Sequence, residues 1–172
     1  MFYQRVTKDD PGCWDVDLQS GLTWVIVTAI TNVNERDPIR DVSGESCDKS
    51  SDSVFPSVHG KENDVLLMSS SFDDPATPDK FTPPSGASAL GYIRIRGDVS
   101  FIVVVASSIH FLLSCDTVLM LLFGINLSKA GFLFGEELDR TGETGMSITE
   151  GRGVPHCKDA LLSVVVKRDE RV

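Results

Sequence analysis

Short apolar runs of strand length recur along this chain, most of them separated by glycine, proline, asparagine or aspartate turns, and helical periodicity is nearly absent. That rhythm constrains the fold more than any other feature. Leu22–Ile30 (LTWVIVTAI) is rich in β-branched residues and lies between Gly21 and Asn32-Val33-Asn34, the signature of a strand buried on both faces. Asp64–Met68 (DVLLM) is a shorter run, followed by two segments dense in turn formers, Asp73-Asp74-Pro75-Ala76-Thr77-Pro78 and Pro83-Pro84-Ser85-Gly86. Leu90–Arg96 alternates, with Ile93 and Ile95 on one side and Tyr92, Arg94 and Arg96 on the other, which predicts a half-exposed strand. Gly97-Asp98 then turns the chain into Val99–Val105, and Met146–Thr149 and Leu161–Val166 complete the set. Strands at roughly ten-residue spacing between such turns predict an all-β sandwich or jelly roll.

One stretch tests that reading. Phe101–Leu127 is long and apolar enough to cross a bilayer. His110, Ser114, Cys115 and Asp116 interrupt its middle, and an aspartate at mid-membrane costs about 2.5–3.5 kcal/mol. No Lys/Arg asymmetry flanks it. We therefore read two buried strands and no membrane span. Leu and Met in Thr117–Phe123 favour helix, but the short run, Gly124 and the β-branched neighbour tip it to strand.

The polar segments organise the rest. Residues 1–20 read as an extended N-terminal arm, and 21–172 as a single β-sandwich domain. Residues 32–53 read as a long polar loop, the kind that is functional or orders against a partner. Gly131–Gly153 carries six glycines and reads as loops around short strands. A length of 172 residues suits one domain, and 41% apolar content suits a packed one.

The charge balance narrows the partners. With 16 Lys+Arg against 25 Asp+Glu, a net charge of −9 argues against nucleic acid and against anionic membranes. Cys13, Cys47, Cys115 and Cys157 are too far apart for a zinc ribbon or Cys-x-x-Cys, and read as four separate reduced thiols. Met1–Asp17 has no apolar core segment, so synthesis and folding are expected in a cytoplasm.

No pattern announces a reaction, so we expect no enzyme and no cofactor. Asp73, Asp74 and Asp79 are the weak metal candidates, since loop carboxylates suit calcium, but they lack EF-hand spacing and read more simply as solvated turns. Glu136, Glu137, Asp139 and Glu143 receive the same reading. His59, His110 and His156 have no Gly-x-Ser-x-Gly elbow to serve, and Cys157 neighbours His156 on what would be the opposite strand face. Arg96-Gly97-Asp98 spells an integrin tripeptide but sits where a Gly-Asp turn is needed anyway.

The region Asp52–Val166 resembles a module of bacteriophage virion proteins and some bacterial surface proteins, on three pieces of sequence. The first is Asp64–Met68, then Phe81–Gly86, then Leu90-Gly91-Tyr92-Ile93, a "P-x-G-x-x-x-L-G" pattern. The second is Leu121-Leu122-Phe123-Gly124-Ile125-Asn126, and the third is Gly142–Ile148 with the closing Asp159–Val166. Such modules are similar to the small β-sandwiches of capsid decoration proteins, tail fibres and adhesins. The resemblance implies a virion structural protein made in the host bacterial cytoplasm, of decoration or cement type, holding the major capsid protein or other virion proteins. By analogy it implies a homo-oligomer, a trimer. Phe132 and Phe134 are then candidate interface anchors, and Tyr92, Arg94 and Arg96 a candidate contact face. The alternative is a tail-fibre or adhesin module for host attachment through surface glycan, for which Tyr92, Trp14 and Trp24 are the available aromatics. The pattern's strand after Gly97-Asp98 ordinarily carries aromatic and lysine residues; here Phe101–Ala106 is wholly apolar, which implies burial against a neighbouring subunit.

Overall fold

All regular structure among the described residues is β, and every strand pairing is antiparallel. The computed structural model describes residues 3–5, 7, 9, 24–30, 32–48, 52–72, 81–95, 101–106, 118–124, 129–145, 147–151 and 158–169. In chain order the strands are β1 (Trp24–Ile30), β2 (Ile39–Asp48), β3 (Asp52–Phe55), β4 (His59–Gly60), β5 (Val65–Phe72), β6 (Phe81–Thr82) and β7 (Ser88–Ile95). They continue with β8 (Phe101–Ala106), β9 (Val118–Gly124), β10 (Lys129–Glu137), β11 (Gly142–Glu143), β12 (Ser147–Gly151) and β13 (Lys158–Val166).

These strands make a five-stranded sheet in the order β2-β13-β5-β10-β7, two three-stranded sheets, β1-β9-β8 and β3-β12-β6, and the short pair β4–β11. The all-β expectation holds. The apolar stretch from Phe101 does divide into two strands, β8 and β9, paired one to one from Phe101↔Phe123 to Ala106↔Val118. The Ser114-Cys115-Asp116 break lies outside the described residues. Among the described residues no helix is long and apolar enough to cross a membrane.

Two expectations are corrected. Within the polar stretch 32–53, Ile39–Asp48 is not loop but a ten-residue strand, paired along its length with β13. It is polar because it occupies the edge of its sheet, where one side of the ribbon meets solvent and no continuous apolar run is needed. Within the glycine-rich 131–153 stretch, Lys129–Glu137 is a nine-residue strand lodged between β5 and β7. Its glycines do not unmake it, because ladders on both edges hold the backbone; Gly135 is buried opposite Leu67.

The register explains the core. Residues directly opposite in an antiparallel ladder share a face. Met68 lies between Ser163 and Phe134, and Leu66 lies between Val165 and Glu136. Leu66, Met68, Phe134, Leu161 and Val165 therefore present one face, and Phe55, Val58 and Leu138 close over it. The Phe55 and Phe134 rings meet edge to face, centroids 6.0 Å apart at 83°, the favoured aromatic geometry. On the opposite face Val65, Leu67, Leu133, Val164 and Val166 are buried as well. The central strands are covered on both sides, which is why they read as continuous apolar runs.

The segment 32–37 that precedes β2 is stitched to the residues that follow β13. Val33 bridges Arg168, Asn34 N–H donates to the Lys167 carbonyl at 2.8 Å, and Asp169 N–H donates to the Asn32 carbonyl at 3.1 Å. Lys167 pairs with Asp37, and Arg5 pairs with Glu35 at 3.1 Å. Of the predicted arm 1–20, only residues 3–5, 7 and 9 are described.

Candidate functional site

Polar side chains converge where β4 and β11 meet the end of β2. His59 pairs with Glu143 across the β4–β11 ladder. Glu143 carries the cluster: one carboxylate oxygen accepts from Ser57 Oγ at 2.8 Å and the other lies 3.8 Å from His59 Nδ1. Ser57 Oγ in turn accepts from the Gly145 amide at 3.1 Å, and the His59 amide donates to Asp41 Oδ2 at 2.7 Å. The loop is fastened further by Thr144, whose amide donates to the Val58 carbonyl and whose hydroxyl accepts from the Val58 amide.

Nucleophilic catalysis by a serine needs an imidazole between the hydroxyl and the carboxylate. Here the carboxylate stands in the middle, and His59 and Glu143 are both exposed. The arrangement ties two turns together rather than relaying a proton. Ser57 and His59 are two residues apart in the chain. Glu143 lies 86 residues away from Ser57 and could not be placed beside them from sequence.

Beside this cluster is a hollow of about 60 Å³ bounded by Glu136, Asp139, Arg140 and Glu143. It has room for a few waters, far short of the several hundred Å³ of a ligand pocket. Partial burial raises the Glu136 carboxyl above its usual range, the Asp139 charge adds to this, and Arg140 opposes it. The same carboxylate sits over Gly86, whose φ is +89°; a methyl at Gly86 would lie 2.7 Å from Glu136 Oε1. Gly86 is the third residue of a turn closed by Ala87 N–H donating to the Pro84 carbonyl at 3.0 Å, a type II turn that requires glycine there.

A second polar centre is buried. Asp64, 4% exposed, receives both Nε and Nη2 of Arg40 and the Lys61 amide at 2.9 Å. This two-pronged pair fastens edge strand β2 to the β4–β5 turn. Its carboxylate is the "acidic opening" of DVLLM, and its role is to hold that turn.

The predicted contact residues divide. Phe134 is 1% exposed within this chain, and its ring packs edge to face against Phe55. The period-two pattern of β10 put Leu133 and Phe134 on opposite faces, and both faces are covered. Phe132 pairs with Tyr92, and Ala130 with Arg94, by backbone on β10 and β7; the side chains of Phe132, Tyr92 and Arg94 lie outside what is described. Arg96 and the metal candidates Asp73, Asp74 and Asp79 lie wholly outside the described residues, as do Trp14, Cys13, Cys115 and Cys157. Among the described residues no group of three His, Cys, Asp or Glu side chains is placed to hold a metal ion.

No protein-family model, no curated protein and no solved structure matches this chain.

Proposed function

We propose that this chain is a non-enzymatic structural protein of a bacteriophage virion, of the capsid decoration or cement type, whose sheets close into a β-sandwich or jelly-roll-like domain. It clamps neighbouring capsomers by surface contact, and its partners are the major capsid protein or other virion proteins, with the chain itself a trimer by analogy. The observation that carries this reading is where the resembling segments fall. The DVLLM run opens β5, Pro84-Ser85-Gly86 forms a type II turn, and Leu90–Ile93 lies in β7. Leu121–Gly124 closes β9, and Asp159–Val166 fills β13, the strand that completes the five-stranded sheet. Burial of that sheet on both faces supports closure into layers.

The test is light scattering and cosedimentation of the purified chain with capsid particles. A discrete oligomer that cosediments and raises the particles' melting temperature is the expected result. A monomer that ignores particles overturns the proposal, and glycan binding lost in Tyr92→Ala would replace it with the adhesin alternative.

A further inference from the structure

Lys167 closes around one peptide bond. Its amide donates to the Pro38 carbonyl and its carbonyl accepts from the Asn34 amide, both at 2.8 Å, and its ammonium pairs with the Asp37 carboxylate. A residue from beyond β13 thus holds both sides of the Asp37-Pro38 bond, with 130 positions between Asp37 and Lys167. The bond is pinned along the chain as well. Asn34 Oδ1 accepts the Arg36 and Asp37 amides, each at 3.1 Å, and just past the bond Ile39 opens the ladder opposite Val166.

An Asp-Pro bond carries its own nucleophile, the aspartate carboxylate, and a ring nitrogen as leaving group, a tertiary amide with no N–H. In scission a carboxylate oxygen of Asp37 bonds to the Asp37 carbonyl carbon. The carbon–nitrogen bond to Pro38 breaks, and the ring nitrogen leaves with a proton from solvent. The cyclic anhydride left on Asp37 takes up one water and opens to two carboxyl groups. The sum is hydrolysis of one peptide bond by one water, with no redox partner.

Two features of the site act in opposite directions. The Asp37 side chain is 65% exposed, so water and protons reach it freely. Lys167 restrains it: a carboxylate held in an ion pair loses the side-chain rotation that attack on its own carbonyl needs. The Lys167 side chain is only 20% exposed, so its stem is fixed, and its amide holds the Pro38 carbonyl against the twist of a breaking bond.

We infer that Asp37-Pro38 is a self-scission site of this chain, held intact by Lys167. Scission there severs residues 1–37, with β1, from the strands of the five-stranded sheet, while the ladder with β9 keeps β1 in place. The inference stands apart from the function proposed above.

The test holds the full chain in buffer within the ordinary carboxylate range, where aspartate is partly ionised and protons are plentiful. Fragments are followed by denaturing mass spectrometry, which separates a nicked chain that stays docked. Two further Asp-Pro bonds, Asp10-Pro11 and Asp74-Pro75, serve as internal references. Fragments 1–37 and 38–172 should form from the parent chain and not from Asp37→Ala. Lys167→Met should speed their formation by up to about fivefold, the weight of an exposed ion pair. The reference bonds should keep their parent rates, and Lys167→Arg should cleave like the parent. If Lys167→Met misfolds, raised salt on the parent chain takes its place, since salt screens the pair and should quicken the same bond selectively. No fragment ending at Asp37 from either the parent or Lys167→Met would overturn the site. A rate at or below the parent's in Lys167→Met, a rise shared equally by all three bonds, or a rate indifferent to salt would overturn the restraint.

Discussion

Replacing Phe134 with alanine separates a core role from an interface role. The ring is 1% exposed, stands on the central face with Met68, Leu66 and Val165, and meets Phe55 edge to face at 6.0 Å. Withdrawing a fully buried phenylalanine from apolar contact forfeits about 1.5–3 kcal/mol of transfer free energy. The cavity left behind raises the total to roughly 3–5 kcal/mol, because strands held by ladders on both edges cannot collapse to fill it. Within that total the edge-to-face contact accounts for about 0.5–1.5 kcal/mol, which a double-mutant cycle with Phe55→Leu isolates. The assay is urea unfolding followed by circular dichroism, with the midpoint as readout and the slope as control for two-state behaviour. For a chain of this size the thermal midpoint should fall by roughly 6–20 °C. A loss below about 1 kcal/mol with unchanged slope would refute the placement of Phe134 in the core. If stability held while particle binding vanished, Phe134 would be an interface anchor after all.

Three further outcomes follow from the buried polar groups. Asp64→Ala should destabilise by about 2–4 kcal/mol in denaturant unfolding, somewhat below a fully buried pair because Arg40 keeps 20% of its side chain in solvent, and Arg40→Met/Asp64→Leu should recover most of the loss. Glu136 has a folded-state affinity for its proton above the unfolded one, so its ionisation opposes folding: stability from this group is greatest in acid, declines as pH climbs from the ordinary carboxylate range through the raised value, and stays low at neutrality. Glu136→Gln should accordingly raise the melting temperature at pH 7 and lose that advantage at low pH, and an equal gain at both would show that charge is not the cause. Ser163 and Ser70 bury hydroxyls without a hydrogen-bond partner on the core face; Ser163→Ala should stabilise by about 1 kcal/mol, whereas destabilisation would reveal a bridging water that the hydroxyl holds.

How much of this could be read in advance depended on where each element obtains its stability. Turns and doubly buried strands carry their own information. Pro84-Ser85-Gly86 announces a turn because only glycine sits comfortably at φ +89°, and the turn is there. The division of Phe101–Leu127 was legible because each half is a short, largely β-branched or aliphatic run. The candidate contacts were less legible: apolarity marked Phe134 as a residue that seeks cover but not whose cover it takes, and Phe55 supplies it.

Period-two patterning and turn residues already specify an all-strand fold, with no helix among the described residues, because they act within a few positions of one another. That the polar Ile39–Asp48 and the glycine-bearing Lys129–Glu137 are strands depends on long-range pairing, since their backbones are satisfied by neighbours that arrive from elsewhere in the chain. Tertiary structure likewise decided that Asp64 is a buried fastening for Arg40, 24 residues away, and that Glu143 answers to Ser57 and His59. A strand is half a structure until its partner is beside it, and local sequence cannot name a partner that folding brings from a distance.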